Sequence, residues 1–529
     1  MEEFDYVVVG GGSAGCVVAS RLSENEKATV CLLEAGGGGN NWVVKAPIGI
    51  AIMVPSKTNN WAFETVAQPG LNGRKGYQPR GKALGGSSAI NAMVYIRGHR
   101  SDYDGWAALG NAGWAYDDVL PYFKKSENNE VVQDAFHGTG GPLNVASTKT
   151  SNPFQEFFLE AGRQLQLPTT SDFNGADQTG LGVYQVTQKN GERWSAARAY
   201  IEPNRSRPNL KVITGAQARK ILFNGKRAVG VEFSRDGKPA SMRARREVII
   251  SSGALQSPQL LMLSGIGNAA DLKNLGIPIV QHSPGVGENL QDHIDFAFSY
   301  RSKSLDNFGL SFAGFRRLWR EIGRYRRDGL GMITSNVAEC GGFLKTDPSL
   351  DVPDIQLHFS MAMADNHGRN RHVGHGFGCH VCLLRPKSRG NVTLNGADPT
   401  LPPRIDPNFY DHPDDLEVMV RAFKITRRIM DAEPLAKWRT AEMYSEAVQS
   451  DEEIRTILRN RSDTVYHPVG TARMGTDDMA VVDPQLKVCG VQGLRVVDAS
   501  IMPMLIGGNT NAPSIMIGEK AADMIRAAS

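Results

Sequence analysis

The feature that most constrains this chain lies in its first 34 residues. Val7-Val8-Val9 is a run of β-branched residues, and Gly10-Gly11-Gly12-Ser13-Ala14-Gly15 follows at once. A second apolar run, Val30-Cys31-Leu32-Leu33, ends on Glu34, 24 residues after Gly10. Buried strand, glycine turn, helix, strand and terminal carboxylate make a βαβ unit suited to a dinucleotide. Gly10 permits the tight turn, Gly12 lets a pyrophosphate approach the backbone, and Gly15 lets helix and strand pack closely. Glu34 stands where an acceptor for two ribose hydroxyls belongs. The unit by itself leaves FAD and NAD both open.

A chain of 529 residues is too long for one ordinary core, so at least two large domains are expected. Its 41% apolar and 22% charged residues are those of a soluble globular protein, and a formal charge of +4 gives no reason to expect nucleic acid. No apolar run reaches the roughly 18 residues of a membrane span. Met1–Asp5 leads straight into the first strand, so no signal peptide is expected. Six cysteines make no disulfide framework, and cytoplasmic residence is the default expectation.

Strand-like runs at 210–213, 228–233 and 247–250 are separated by the turn pairs Asn224-Gly225 and Asp236-Gly237. The last run is expected to lead to a helix from Pro258 capped by Ser257. From about 295 to 460, strand-like runs (355–359, 378–384) alternate with amphipathic helices near 312–327 and 413–431. That pattern reads as a separate α+β domain. Leu494–Ser500 and a closing helix from Pro513 resemble a return to the first sheet. The expected fold is α/β: a Rossmann-like dinucleotide domain (1–148, 206–293 and 462–529) interleaved with an α+β substrate domain carrying an antiparallel sheet (149–205 and 294–461).

Two further glycine-rich segments stand out: Gly81-Lys82-Ala83-Leu84-Gly85-Gly86-Ser87-Ser88-Ala89-Ile90-Asn91, and Gly253-Ala254-Leu255-Gln256-Ser257-Pro258 running on to Gly265-Ile266-Gly267. In the first, missing side chains let backbone N–H groups converge on an anion or a ring edge. Together with Gly285-Val286-Gly287-Glu288-Asn289-Leu290-Gln291-Asp292-His293 and the C-terminal stretch, these segments resemble the glucose-methanol-choline (GMC) oxidoreductases over essentially the full chain. The resemblance implies alcohol oxidation with FAD. It places Gly85, Gly86, Ser87, Asn91, Ala92, Met93 and Val94 along the cofactor, beside Gly10, Gly12, Ser13, Ala14, Gly15, Glu34 and Ala35. It adds the backbone at Ala218, near adenine, and Asp498, Ala499, Asn509, Thr510 and Asn511. The position before Asn91, where some members tether FAD through histidine, is Ile90, so the FAD is expected to be non-covalent.

Tyr466-His467-Pro468 holds the catalytic candidate. A residue before proline is biased to extended backbone. By resemblance His467 is the general base, and Asn509, 42 residues on, is its partner. Asn511 carries the same amide two residues later and is the rival. Pro513 suits a first helical turn, so the N-terminal dipole of that helix is expected to face the flavin edge.

Cys379-His380-Val381-Cys382, with His372 and His375 upstream, raises zinc. No second CxxC exists, residues 379 and 382 of a strand face opposite sides, and no metal is expected. In 312–327, Phe312, Phe315, Trp319, Ile322 and Tyr325 fall near helical spacing among six arginines. A basic amphipathic helix can lie on an anionic membrane. The plainer and preferred reading packs these aromatics on the substrate-domain core. Membrane contact would fit a quinone acceptor and a peripheral place on the cytoplasmic face of an inner membrane.

Runs such as Asn60-Trp61-Ala62-Phe63 and Ser335-Asn336-Val337-Ala338-Glu339 are most similar to those of FAD-dependent medium-chain aliphatic alcohol dehydrogenases. That similarity implies a primary alkanol as substrate and a quinone as acceptor. Polyethylene glycol, sorbose and choline dehydrogenases, oxygen-using oxidases, an NAD(P) dehydrogenase and an FAD-containing lyase remain as alternatives.

Overall fold

The computed structural model describes residues 2–528. Glu2–Val9 emerges from exposed Glu2 and Glu3 into full burial by Asp5, as a central strand of a parallel sheet must. It runs parallel to Val30–Leu33 on one side and to Lys238–Ile250 on the other. Leu210–Ile213 extends the sheet beyond Val30–Leu33, and Leu494–Val496 lies parallel to the end of Lys238–Ile250. The first half of that long strand joins Arg227–Arg235 and Ala216–Asn224 in an antiparallel meander. Its turns are the expected pairs, with Gly225, Asp236 and Gly237 at positive φ. The closing helix Asn511–Ala527 lies on the first helix, Ser13–Leu22, where Gly518 meets Ala14 and Val17. Buried Glu519 fixes the pair through Arg21 at 2.8 Å.

A second, antiparallel sheet runs in the order Arg439–Met443, Ile294–Ser302, Gly374–Leu383, Ile355–Ser360, Ala338–Leu344, Gly180–Val183. The chain leaves it through Asp463–Thr464, paired to Asp295 and Ile294. Strand periodicity splits Ile355–Ser360 cleanly. Ile355, Leu357 and Phe359 join the aromatic core under helix Pro413–Asp431, while His358 and Ser360 face a cavity between the sheets.

Two expectations are corrected. The helix does not start at Pro258; it spans Gly253–Leu263 with Pro258 inside. Proline cannot donate to the carbonyl four residues back. That carbonyl, of Ala254, accepts the Thr471 hydroxyl at 2.5 Å instead, and Ser257 donates to Asp498. Second, helix Phe312–Asp328 has no buried residue. Phe312, Phe315 and Trp319 are 80%, 65% and 71% exposed, so these three do not pack on the core as expected, while Ile322 and Tyr325 are half-buried.

Candidate active site

A single cavity of about 1210 Å³ runs between the two sheets, above the usual range of roughly 300–1,000 Å³ for small-molecule sites. One end is the glycine turn. Gly10 (φ +102°) bends the chain off its strand, and a Cβ on it would lie 2.4 Å from the Ser251 carbonyl oxygen. Gly15 is tighter: its Cβ would fall 2.0 Å from the carbonyl oxygen of Gly10. At Gly12 the nearest atom to a Cβ is 3.8 Å away, and the residue opens on the cavity. The helix beginning at Ser13 has no side-chain cap, so its first N–H groups are available to an anion.

Glu34 accepts from Gly11 N–H at 2.9 Å through one oxygen and from Gly36 N–H at 2.7 Å through the other. Each oxygen keeps a lone pair for a ribose hydroxyl. Burial pushes its pKa up to about 7, opposed by those two N–H groups.

Every residue assigned above lines this cavity except Gly15 and Gly85. Gly85 works from behind: its N–H donates to Gly11 at 2.7 Å and clamps one glycine loop to the other. Asn91 lends its side-chain oxygen to Met93 N–H at 3.0 Å and to Arg193 at 2.9 Å. Asp498 is spent on Gly253 N–H, the Ser257 hydroxyl and Ser500 N–H, so its carboxylate positions backbone. Asn511 accepts from Ser13 at 2.8 Å and makes no bond to His467. The helix that Asn511 begins has no side-chain cap and opens on the cavity through Thr510 and Asn511. An open face at Gly12, two uncapped helix ends and the Glu34 acceptors all fit the parts of FAD.

The other end is built on His467. Its backbone N–H donates to buried Asp292 at 2.8 Å. Tyr466 before it has φ +78°, a strained conformation for a non-glycine residue. Three contacts hold it: Thr464 Oγ1 at its N–H (2.7 Å), Arg80 at its carbonyl (2.8 Å) and His367 at its hydroxyl (2.6 Å).

The ring of His467 sits in a relay whose protons follow from its partners. His293 Nε2 lies 3.2 Å from the Leu384 carbonyl oxygen, which can only accept, so Nε2 carries a hydrogen. Burial lowers the His293 pKa to about 3, so the ring is neutral and its Nδ1 is an acceptor. That Nδ1 is 3.0 Å from His467 Nδ1, which must therefore donate. His467 Nε2 is left as an acceptor whose lone pair faces the cavity. Asn509 Nδ2 donates to it from 3.1 Å, oriented by Gln356, whose Nε2 donates to Asn509 Oδ1 at 3.0 Å. Asn509, and not Asn511, stands at the histidine. Burial, then the neighbouring His293, His358 and Arg80, hold the His467 pKa well below 6.5.

Sequence reasoning missed His293, Gln356, His358, His380 and Arg193. His293 ends the segment Gly285–His293, whose local sequence gives it no distinct role. Ile355-Gln356-Leu357-His358-Phe359-Ser360 did carry a signal: one polar face on a strand buried throughout. Both ring nitrogens of His358 are buried and make no hydrogen bond among the described residues, and burial, opposed by nearby Asn509, lowers its pKa to about 3. His380, opposite it in register, is 2.6 Å from the Asp295 carboxylate. Burial works against the charged form of His380, but Asp295 outweighs it and raises the pKa. The buried Arg193 guanidinium holds the Asn91 loop through the carbonyl oxygens of Ser88 and Asn91 and the Asn91 side-chain oxygen. Cys379 and Cys382 pack into different apolar clusters, as alternation on one strand requires.

The GMC oxidoreductase family models match this chain twice, the N-terminal one over residues 4–295 and the C-terminal one over 386–518. The alcohol dehydrogenase (acceptor) of Pseudomonas putida is 48% identical over 526 residues, covering 99% of this chain and 95% of that protein. Human mitochondrial choline dehydrogenase is 44% identical, over 99% of this chain and 90% of its own. Among solved structures, formate oxidase superposes with a TM-score of 0.93 at 30% identity, covering 100% of this chain and 98% of that one. Together the double family match, the full-length relatives and the cavity geometry show that this chain belongs to the GMC oxidoreductases, a family of FAD-dependent enzymes.

Proposed function

We propose that this chain oxidises a primary aliphatic alcohol to the aldehyde and passes the electrons to a quinone. The observation that carries the reading is the Nε2 lone pair of His467, turned toward the cavity by the Leu384–His293 relay and held there only by the Asn509 amide. A substrate hydroxyl takes the place of the Asn509 N–H at that nitrogen and gives up its proton there, while His293 Nδ1 takes the hydrogen bond of the charged ring. Asn509 and His358 supply N–H donors that orient the substrate oxygen. FAD, when bound, supplies the acceptor for the hydride that leaves the alcohol carbon. His467 and Asn509 line the cavity together with the glycine loops that would hold FAD.

An aliphatic chain is preferred over choline on charge grounds. A quaternary ammonium wants an unpaired carboxylate or an aromatic cage. Asp295, two residues beyond His293, is already paired with His380. Relatives named as choline dehydrogenases keep choline as the second reading. Anaerobic titration with primary alkanols is expected to bleach the flavin absorbance, and choline to leave it unchanged. Bleaching by choline alone would reverse the assignment. Reoxidation by a soluble quinone faster than by air is expected for the proposed acceptor; the reverse order would make the chain an oxidase.

The cofactor is proposed to be non-covalent. Ile90 sits among Val44, Met53, Ala83 and Ala89 and offers no nucleophile. Acid precipitation is expected to leave the yellow colour in the supernatant; colour in the pellet contradicts it.

A further inference from the structure

Helix Phe312–Asp328 is well made at both ends. Ser311 Oγ accepts from Gly314 N–H at 2.9 Å, and Gly329 closes it at φ +65°. Its apolar stripe has two halves. Leu318, Ile322 and Tyr325 line the cavity. Phe312, Phe315 and Trp319 face outward, and a cluster of that kind marks an interaction surface. Leu310 and Val373, bridged to each other and 51% and 77% exposed, widen it. Arg316 and Arg320 border the aromatics, both exposed, and neither has an ion-pair partner among the described residues. The cavity mouth is here as well. Trp42, Ile52 and Leu310 line the cavity and are also 68%, 44% and 51% exposed. The segment Pro47–Gly49 packs against Met332–Thr334, just after the helix.

We propose that this surface seats the protein on an anionic phospholipid bilayer. The helix lies in the interfacial plane, with Phe312, Phe315 and Trp319 among the acyl chains and Arg316 and Arg320 on lipid phosphates. Charge decides for lipid over a second copy of this chain: two such faces would bring like arginines together, whereas phosphates complement them. Among the described residues no helix is long and apolar enough to cross a membrane, so contact is made from one side. Apolar molecules dissolved in the bilayer then reach the cavity through the Trp42–Leu310 mouth without crossing water. The docking does not depend on which alcohol is oxidised, because it is read without turnover.

The test is co-sedimentation of the FAD-loaded protein with vesicles of phosphatidylcholine containing phosphatidylglycerol, against phosphatidylcholine alone. Binding is expected to favour the anionic vesicles and to weaken with added salt. Phe315→Ser/Trp319→Ser should weaken it at least about tenfold. Arg316→Ser/Arg320→Ser should weaken binding to anionic vesicles by about fivefold per charge and leave the neutral ones unaffected. None of these four side chains lines the cavity, so flavin absorbance and turnover of a water-soluble alcohol with a dye acceptor should persist. Should the aromatic variant lose its flavin, the arginine variant carries the test. Failure of the wild type to pellet overturns the proposal, as does equal pelleting of wild type and variants. A lipid-free dimer dissolved by Phe315→Ser/Trp319→Ser would assign the face to a second copy and overturn it too.

Discussion

His467→Ala is expected to lower kcat by about 10²- to 10⁴-fold while the protein stays folded and yellow. No other group in the relay can replace it. The variant frees His293 Nδ1, but His293 does not line the cavity, and Asn509 has no basic atom. Removing the imidazole leaves the glycine loops untouched, so flavin absorbance should match wild type. Near-normal turnover in that variant would refute the role. The pH profile is a second readout. Since burial and nearby cationic or potentially cationic groups lower the His467 pKa, the active neutral form persists above that value and is lost as pH falls through it. The kcat/KM plateau should extend below pH 6.5. An acid limb centred above that pH would mean that a different group, or a differently partnered His467, accepts the proton.

Gly12→Ala and Gly15→Ala, identical in chemistry and three residues apart, should fail in different ways. Gly12 has ordinary extended φ and ψ, and a Cβ there meets nothing nearer than 3.8 Å. The apo protein should melt like wild type. The methyl group, however, occupies the face on which a pyrophosphate lies. An overlap of about 1–3 kcal/mol corresponds to a loss of about ten- to a hundredfold in FAD affinity. Gly15→Ala drives a Cβ to 2.0 Å from a carbonyl oxygen of the same tight turn, with no flexible side chain to yield. It should cost about 3 kcal/mol or more and lower the melting temperature of apo and FAD-loaded forms alike. FAD retention by Gly12→Ala equal to wild type would remove that residue from the cofactor surface.

Much of the fold and of the site was legible because it rests on short-range rules. The glycine turn, the strand at 355–359 and the turn pairs at 224–225 and 236–237 are each decided within a few residues. What escaped depends on partners far apart in the chain. A helix start at Pro258 was sound local reasoning, yet Thr471, 213 positions later, relieves the carbonyl that proline orphans. His293 meets His467 across 174 residues. The helix at 312–328 shows a different limit. Its periodicity reveals an apolar stripe but not what covers it, and a stripe for a core and one for lipid have the same spacing.

The Leu384 carbonyl that sets the relay lies just past the strand Gly374–Leu383 of the second sheet, whereas His467 stands on the segment returning to the first. His293 precedes the neighbouring strand Ile294–Ser302, so its tautomer is set within one sheet and handed to His467 by a single contact between the two rings. If the halves slid apart by about an ångström, that 3.0 Å contact would lengthen past its useful range. His467 could then carry its hydrogen on either nitrogen, and a fraction of molecules would point an N–H, not a lone pair, at the substrate. The seam acts as an interlock: the base is armed only in the closed register, and looseness between the halves would be read as a falling proportion of competent enzyme with no change in any side chain.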